Sequence, residues 1–124
     1  MSTTIREGYV PGCIGRIAEL HASYYHRTAG FGLAFESKVA RELADFCARY
    51  VAGRDGLWLA LADGRIEGSI AIDGSHAARD GAHLRWFVVS DAVRGRGVGG
   101  GLLDAAMASC RARGYEHVYL WTFE

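Results

Sequence analysis

The segment Arg94-Gly95-Arg96-Gly97-Val98-Gly99 is a glycine-rich turn between an apolar stretch and an amphipathic one. Before the turn, Leu84 to Val89 has the apolar and aromatic composition of a buried strand. After it, the stretch from Val98 to about Arg113 repeats its apolar residues at helical spacing, and Gly114 suits a helix end. A further apolar stretch runs from His117 to Phe123. The order predicts a βαβ unit whose two strands are parallel.

This glycine turn, residues 94–99, has the chemistry of a phosphate site. A helix N-terminus presents backbone N–H groups without intrahelical partners, together with the positive end of the helix dipole. Glycines let the backbone approach a ligand closely, and Arg94 and Arg96 add positive charge at the same place. The turn therefore predicts a site for a phosphate or pyrophosphate group.

Two common phosphate motifs fit the turn less well. A Walker loop needs Lys and then Ser or Thr after its last glycine, whereas Gly101-Leu102 follows here. The segment from Gly95 to Gly100 does spell the dinucleotide pattern GxGxxG, and Glu124 lies near the position of a ribose-binding acid. That fold needs further parallel strands, however, and the elements predicted upstream are a hairpin and two helices.

The elements upstream of the turn predict a mixed α/β fold. An Asp63-Gly64 turn between two apolar stretches is a strong hairpin signal. The full order is β-α-α-β-β-β-α-β, which predicts a mixed, mostly antiparallel central sheet flanked by helices. Ile66, Gly68, Ile70 and Ile72 are expected on one face of the third strand, with Glu67, Ser69 and Asp73 on the other. The predicted segments are strand Thr3 to Val10, a helix from Cys13 to about His26–Gly30, a helix from Glu36 to Val51 capped by Ser37, strands Leu57 to Leu61 and Ile66 to Ile72, a polar loop Gly74 to Gly81, and strand Ala82 to Val89.

Size and composition limit the classes of function. A chain of 124 residues suits one domain, and 14 basic residues balance 14 acidic ones, which disfavours nucleic acid as a partner. The N-terminus has no apolar signal core and no stretch approaches a membrane span, so a soluble, cytoplasmic protein is expected. Three cysteines without a CxxC pair predict free thiols, and no metal site is expected.

The turn resembles the Arg/Gln-x-x-Gly-x-Gly/Ala signature of the GNAT superfamily of acetyltransferases and matches it at every defined position. The order of elements is also similar to that family over the whole chain. In detail the chain looks most like acetyltransferase domains that occur next to MarR-type winged-helix domains. That likeness rests on Gly68-Ser69-Ile70, Leu84-Arg85-Trp86-Phe87 and Tyr119-Leu120-Trp121-Thr122-Phe123.

The resemblance implies a function and a cofactor site. It implies transfer of an acetyl group from acetyl-CoA to a primary amine on a small molecule or peptide. Backbone amides of the turn would hold the CoA pyrophosphate, and the exposed backbone at the end of the fourth strand would bind the pantetheine arm. These roles fall on Arg94, Gly95, Arg96, Gly97, Val98 and Gly99 for the pyrophosphate, and on Phe87, Val88 and Val89 for pantetheine.

The catalytic residues of the family are matched less completely than its cofactor-binding residues. Many members have a Glu on the fourth strand as general base, whereas here Glu67 and His83 are the nearest candidates. The acceptor would lie between the first two helices and the sheet, with walls from Tyr24, Tyr25, His26, Phe31, Phe35 and Glu36.

The C-terminus departs from the family pattern in the segment that would carry the general acid. The family's acid is a Tyr after the fifth strand, and this sequence stops at Glu124. Residues 1–124 are therefore expected to form one incomplete domain that lacks the last helix and strands. A homodimer is expected to cover the fifth strand. A non-catalytic acyl-CoA-binding or regulatory module is the alternative.

Overall fold

The computed structural model of the protein describes residues 2–120. The elements run in the predicted order, and one five-stranded sheet has the strand order β1-β2-β3-β4-β5. The first three pairings are antiparallel and β4 pairs with β5 in parallel, which confirms both the mixed sheet and the βαβ unit. The elements are β1 Thr3–Glu7, α1 Cys13–Ala29, α2 Leu33–Ala48, β2 Gly56–Ala62, β3 Arg65–Asp73, α3 Ala77–Asp80, β4 Ala82–Val89, α4 Val98–Ala112 and β5 Val118–Tyr119.

The sheet carries a hydrophobic cluster on each face. On one face α4 packs Leu102 and Ala106 against Ile70 and Ile72 of β3. On the other face α1 and α2 pack residues such as Ile17, Leu43 and Phe46 against β2, β3 and β4. The buried side chains alternate along the strands because successive residues point to opposite faces.

Several predicted boundaries differ from the structure. Helix α2 begins at Leu33 and not at Glu36, because the carbonyl of Gly32 accepts hydrogen bonds from the N–H groups of Phe35 and Glu36. Ser37 is therefore inside the helix and is not its cap, and the helix ends at Ala48, before Val51. Strand β1 ends at Glu7, and the predicted loop 74–81 contains the short helix α3. The predicted strand 117–123 is present at Val118–Tyr119, and its last three residues lie outside the described part.

The predicted face of Ile66 is wrong because β3 contains a bulge. Gly68 pairs with Ala60 but Ile66 pairs with Leu61, so Glu67 is an extra residue on β3. An extra residue reverses the alternation beyond it. Ile66 consequently packs with the α1 and α2 cluster, whereas Ile70 and Ile72 share one face, as predicted, and pack on the α4 side.

Candidate functional site

The glycine turn joins β4 to α4 in the conformation that a phosphate site requires. Gly95 and Gly97 have φ of 80° and 75°, which is the left-handed region that favours glycine. Within residues 2–120, the N–H groups of Gly95, Gly97, Val98 and Gly99 make no backbone hydrogen bond outside regular elements. Val98 and Gly99 also open α4, where no intrahelical partner exists. These donors, at the positive end of the helix dipole, fit an anionic group.

The two arginines of the turn differ in their partners. Arg94 forms an ion pair with Asp91, with Nη2 and Oδ1 2.7 Å apart, and Asp91 also accepts a hydrogen bond from Arg27 of α1 at 3.0 Å. Arg96 is exposed and forms no ion pair within the described range. Sequence analysis did not single out Asp91.

Strand β4 is distorted beside the turn. Ser69 pairs with Val88 but Ala71 pairs with Arg85, so β4 carries an extra residue at Trp86 and Phe87. Trp86 has φ of 49°, a left-handed conformation that costs a non-glycine residue about 1–2 kcal/mol. Ser69 Oγ stabilises it by donating to the Trp86 carbonyl at 2.6 Å, and the ring packs 5.4 Å from that of Phe46. The resemblance implied an exposed backbone at the end of this strand, but no local signal in the sequence predicted the bulge at Trp86.

The bulge and the glycine turn are adjacent. A Cβ added to Gly99 would lie 3.6 Å from Val89 Cγ2 and 3.9 Å from Phe87 Cζ. Strand β5 pairs with β4 at Ala82 and His83, and no further pair is present among residues 2–120. The sequence-predicted pantetheine and pyrophosphate residues therefore form one continuous surface.

Two cavities flank α1. The large cavity, of about 600 Å³, lies among α1, α2 and β4 and is lined by His21, Tyr25, Phe35, His83, Trp86 and Phe87, among others. The small cavity, of about 190 Å³, is lined by Arg16, Tyr24, Val88, Val89 and Asp91, among others. The predicted pantetheine residues thus contribute to both.

The predicted acceptor walls are divided between these cavities. Tyr25 and Phe35 line the large cavity and Tyr24 lines the small one. His26 and Phe31 line neither cavity. His26 Nδ1 is 2.9 Å from the Phe31 carbonyl, and the Phe31 ring stacks on Tyr25, which lines the large cavity. Glu36 is exposed on α2. Burial raises the pKa of Tyr25, which keeps its hydroxyl protonated near neutral pH.

The two predicted base candidates lie at opposite ends of the β3–β4 pairing. Glu67 is next to Gly68, which pairs with Val89, whereas His83 pairs with Asp73. Six residues of strand at about 3.3 Å each separate His83 from Val89, so the two groups are about 20 Å apart. They cannot contact the same substrate nitrogen.

Their surroundings also differ. Glu67 accepts from Arg16 Nη2 at 2.5 Å and its side chain is only 12% exposed. His83 lines the large cavity and stacks on Tyr119 with ring centroids 4.5 Å apart. Burial, with a smaller contribution from Arg85, lowers the pKa of His83 to about 4. Its imidazole is therefore neutral at pH 7, and it is a weaker base than an ordinary histidine.

The large cavity contains three features that sequence reasoning did not single out. Arg85 donates to Glu42 at 2.5 Å, and its guanidinium lies 4.2 Å from the Trp86 ring centroid. Lys38 is 3.9 Å from the other oxygen of Glu42. His21 is 6% exposed and lines the cavity from α1. His21 was hidden because it falls on the apolar stripe of its helix.

Other chemistries have little support among the described residues. No three His, Cys, Asp or Glu side chains converge within residues 2–120 as a metal site would need. Burial raises the pKa of Cys110, which disfavours a thiolate nucleophile. No helix in the described part of the chain is long and apolar enough to cross a membrane.

A bulged strand, a phosphate-type turn and a mixed sheet together define an acyl-CoA-type transferase fold, and comparisons with known proteins identify the family. The family model described as "Acetyltransferase (GNAT) family" matches residues 16–124. The chain belongs to the GNAT acetyltransferase family. The antiparallel β1–β4 order also excludes the dinucleotide-binding fold suggested by GxGxxG.

Solved structures agree on the fold. A GNAT-family acetyltransferase from Staphylococcus aureus Mu50 has a TM-score of 0.81 at 20% identity, over 98% of this chain and 75% of that one. An acetyltransferase from Streptococcus agalactiae has a TM-score of 0.79 at 21% identity, over 98% and 74%. A predicted acetyltransferase from Clostridium acetobutylicum, solved with acetyl-CoA, has a TM-score of 0.71 at 14% identity, over 99% and 82%. No curated protein matches the chain.

Proposed function

We propose that this chain transfers an acetyl group from acetyl-CoA to a primary amine. The observation that carries the proposal is the set of backbone N–H groups at Gly95, Gly97, Val98 and Gly99, which lie beside the bulge at Trp86 and Phe87. The turn would hold the pyrophosphate. The backbone edge at Phe87, Val88 and Val89 pairs with no residue of β5 within residues 2–120, and it would direct the thioester towards the large cavity.

The chemistry requires a neutral amine, a polarised carbonyl and a proton for the leaving thiolate. The amine nitrogen forms a bond to the acetyl carbon, the carbon–sulfur bond breaks, the amine loses a proton and the CoA sulfur gains one. Of the two candidates for accepting the amine proton, His83 lines the large cavity. Glu67 is bonded to Arg16 and lines neither cavity. We therefore favour His83.

Release of the CoA thiol tests the proposal. The protein is mixed with acetyl-CoA and a panel of primary amines, and new thiol is measured against a sample without amine. Amine-dependent release, with the acetylated amine detected by mass spectrometry, is the expected result. CoA binding without release for every amine would support the alternative, a non-catalytic acyl-CoA-binding module.

A homodimer that covers the fifth strand stays a proposal. Leu120, directly after β5, is 55% exposed, and an apolar strand edge of this kind favours association. Light scattering on the purified protein, coupled to gel filtration, tests it. Replacing Leu120 with Lys should shift a dimer to monomer, and a monomeric unmodified protein would contradict the proposal.

A further inference from the structure

The large cavity passes through the sheet from one face to the other. Val39 and Trp86 line it from the cluster that packs with α1 and α2, whereas Leu84 belongs to the cluster that packs with α4. Leu103 of α4 and Leu120, directly after β5, also line it. The cavity therefore has an apolar part on the α4 side, separate from the predicted acceptor walls on α1 and α2.

The passage beside β4 is longer than an acetyl group. Within residues 2–120, β5 pairs with β4 only at Ala82 and His83, so the passage runs along β4 from Leu84 onwards. The pantetheine arm would end at the bulge residue Phe87, which is four strand residues beyond His83, a distance of about 13 Å. The two carbons of an acetyl group would fill only the beginning of that length.

Helix α4 places Leu103 along the same stretch of β4. Gly99, at the start of the helix, lies beside Phe87 and Val89. Leu103 is four residues further along α4, which is about 6 Å of helix. Because β4 and β5 are parallel, the helix between them runs in the opposite direction, from the glycine turn back towards Leu84. Leu84 and Leu103 thus line the cavity beyond the expected position of the thioester.

The α4 side of the cavity has the surface of an apolar ligand site. Phe87, Leu103 and Leu120 are 40%, 38% and 55% exposed. Exposed apolar side chains that gather at a cavity are typical of a binding site. The charged residues of the cavity are instead on its α2 side, where Glu42 pairs with Arg85. The α4 side therefore suits an apolar chain that continues from the thioester.

We propose that this protein takes acyl groups longer than acetyl, and that the acyl chain of butanoyl-CoA or hexanoyl-CoA lies between β4 and α4, against Leu84, Leu103 and Leu120. This inference rests on the proposed function, because it uses the same cofactor site and widens the class of acyl donor. The chemistry is unchanged: the amine nitrogen forms a bond to the acyl carbon, the carbon–sulfur bond breaks, the amine loses a proton and the CoA sulfur gains one. The acceptor would still approach from the α1 and α2 side.

The chain-length dependence of binding tests the inference. The protein is titrated by calorimetry with CoA, acetyl-CoA, butanoyl-CoA and hexanoyl-CoA in the absence of amine. Affinity should rise along the series, with hexanoyl-CoA bound about tenfold or more tightly than acetyl-CoA, because each added carbon buries apolar surface. Affinity that is equal along the series, or that falls with chain length, would overturn the inference and assign the whole cavity to the acceptor.

Two substitutions of Leu103 test where the acyl chain lies. Leu103→Trp fills the space, and Leu103→Asn replaces an apolar wall with a polar one of similar size; thermal unfolding checks that both fold. In each, the ratio of hexanoyl-CoA to acetyl-CoA affinity should fall to within about threefold. Leu33→Trp and Leu33→Asn are the matched controls and should keep the full ratio, because Leu33 is 83% exposed on α2 and lines neither cavity. A ratio that survives both Leu103 substitutions would overturn the inference.

Comparison with CoA and with turnover separates this inference from the proposed function. Equal binding of all four CoA compounds would contradict only the class of acyl donor, whereas no binding of any of them by the folded protein would contradict the cofactor site as well. Thiol release is assayed in parallel with each acyl-CoA and the panel of amines. Binding that strengthens with chain length, without release from any acyl-CoA, would contradict the enzyme and support the acyl site.

Discussion

Arg16 on α1 and Glu67 on β3 form an ion pair, with Nη2 and Oε1 2.5 Å apart, and this pair limits what Glu67 can do. Arg16 also donates to the Ile66 carbonyl at 2.7 Å, so one side chain fixes α1 to the bulge of β3. The contact is more than four-fifths buried on both sides. We interpret Glu67 as a residue that positions α1.

Replacing Glu67 with Gln should therefore affect stability more than turnover. The substitution removes one charge and leaves Arg16 partly buried, which we expect to lower the free energy of unfolding by about 1–3 kcal/mol. Chemical denaturation measures this effect, and kcat for acetyl transfer should stay within about threefold. A roughly hundredfold fall in kcat, with the folded state intact, would instead identify Glu67 as the base.

Replacing His83 with Gln should show the opposite pattern. Because His83 lines the large cavity, its loss should lower kcat about hundredfold, which is typical of a missing general base. The affinity for acetyl-CoA should not change, since the glycine turn is at the other end of β4. Unaltered kcat in this variant would exclude the role we assign to it.

The charge of Asp91 should weaken cofactor binding. Asp91 is bonded to both Arg27 and Arg94 and adds a negative charge beside the proposed pyrophosphate site. Asp91→Asn should raise acetyl-CoA affinity about two- to fivefold at low salt, and less at high salt because of screening. Asp63→Asn, in the exposed β2–β3 turn, is the matched control with the same change in charge. Equal effects of the two substitutions would mean that only net charge matters.

Stability should depend on pH through His21. Its pKa is about 4 in the folded protein and about 6.5 when unfolded, so the unfolded chain binds the proton first as pH falls. The contribution of neutral His21 to the free energy of unfolding is fully present above pH 6.5. As pH falls towards 4, the free energy of unfolding decreases by about 3 kcal/mol from this residue. Because His83 has the same lowered pKa and titrates over the same range, His21→Phe should make the slope of the unfolding free energy shallower without removing it. An unchanged slope would contradict the burial assigned to His21.

A second loss of stability should follow at lower pH. Burial alone would raise the pKa of Asp73, but hydrogen bonds from Arg49 and Ser75 hold that pKa well below its usual range. The stabilisation is present above the unfolded pKa of about 3.9 and is lost below it. Asp73→Asn should remove this loss of stability at low pH and leave the losses from His21 and His83, as measured by denaturation between about pH 5 and 2.

The sequence predicted the elements whose signals are local. Glycines at 95 and 97 before an apolar helix indicated the turn, and Asp63-Gly64 indicated the hairpin, because both depend on backbone conformations that glycine favours. The predicted start of α2 at Glu36 was too late, because Ser37 resembled an N-cap. The first turn of the helix is stabilised by hydrogen bonds to the Gly32 carbonyl and by packing of Phe35 on Tyr25.

The parts that were missed depend on tertiary contacts. The bulge that moves Ile66 to the other face has no composition signal, and neither has the left-handed Trp86. His21 has the same spacing as the core residues of α1, so only the structure shows that its Nε2 is buried without a hydrogen-bond partner. Asp91 gave no signal in the sequence, because its ion pair with Arg27 depends on where α1 lies in the fold.

The central claim is that acetyl-CoA binds at the glycine turn, and calorimetric titration of the protein with acetyl-CoA, CoA and NAD tests it most directly. The variant Arg96→Ala, Gly97→Ala is compared with Gly64→Ala, Arg65→Ala, because Gly64 and Gly97 have nearly the same φ, 80° and 75°, and open space around them. We predict binding of acetyl-CoA and CoA but not NAD, about thirtyfold or more weaker in the first variant and unchanged in the second. Equal affinity in both variants, or no acetyl-CoA binding by the folded protein, would contradict the account.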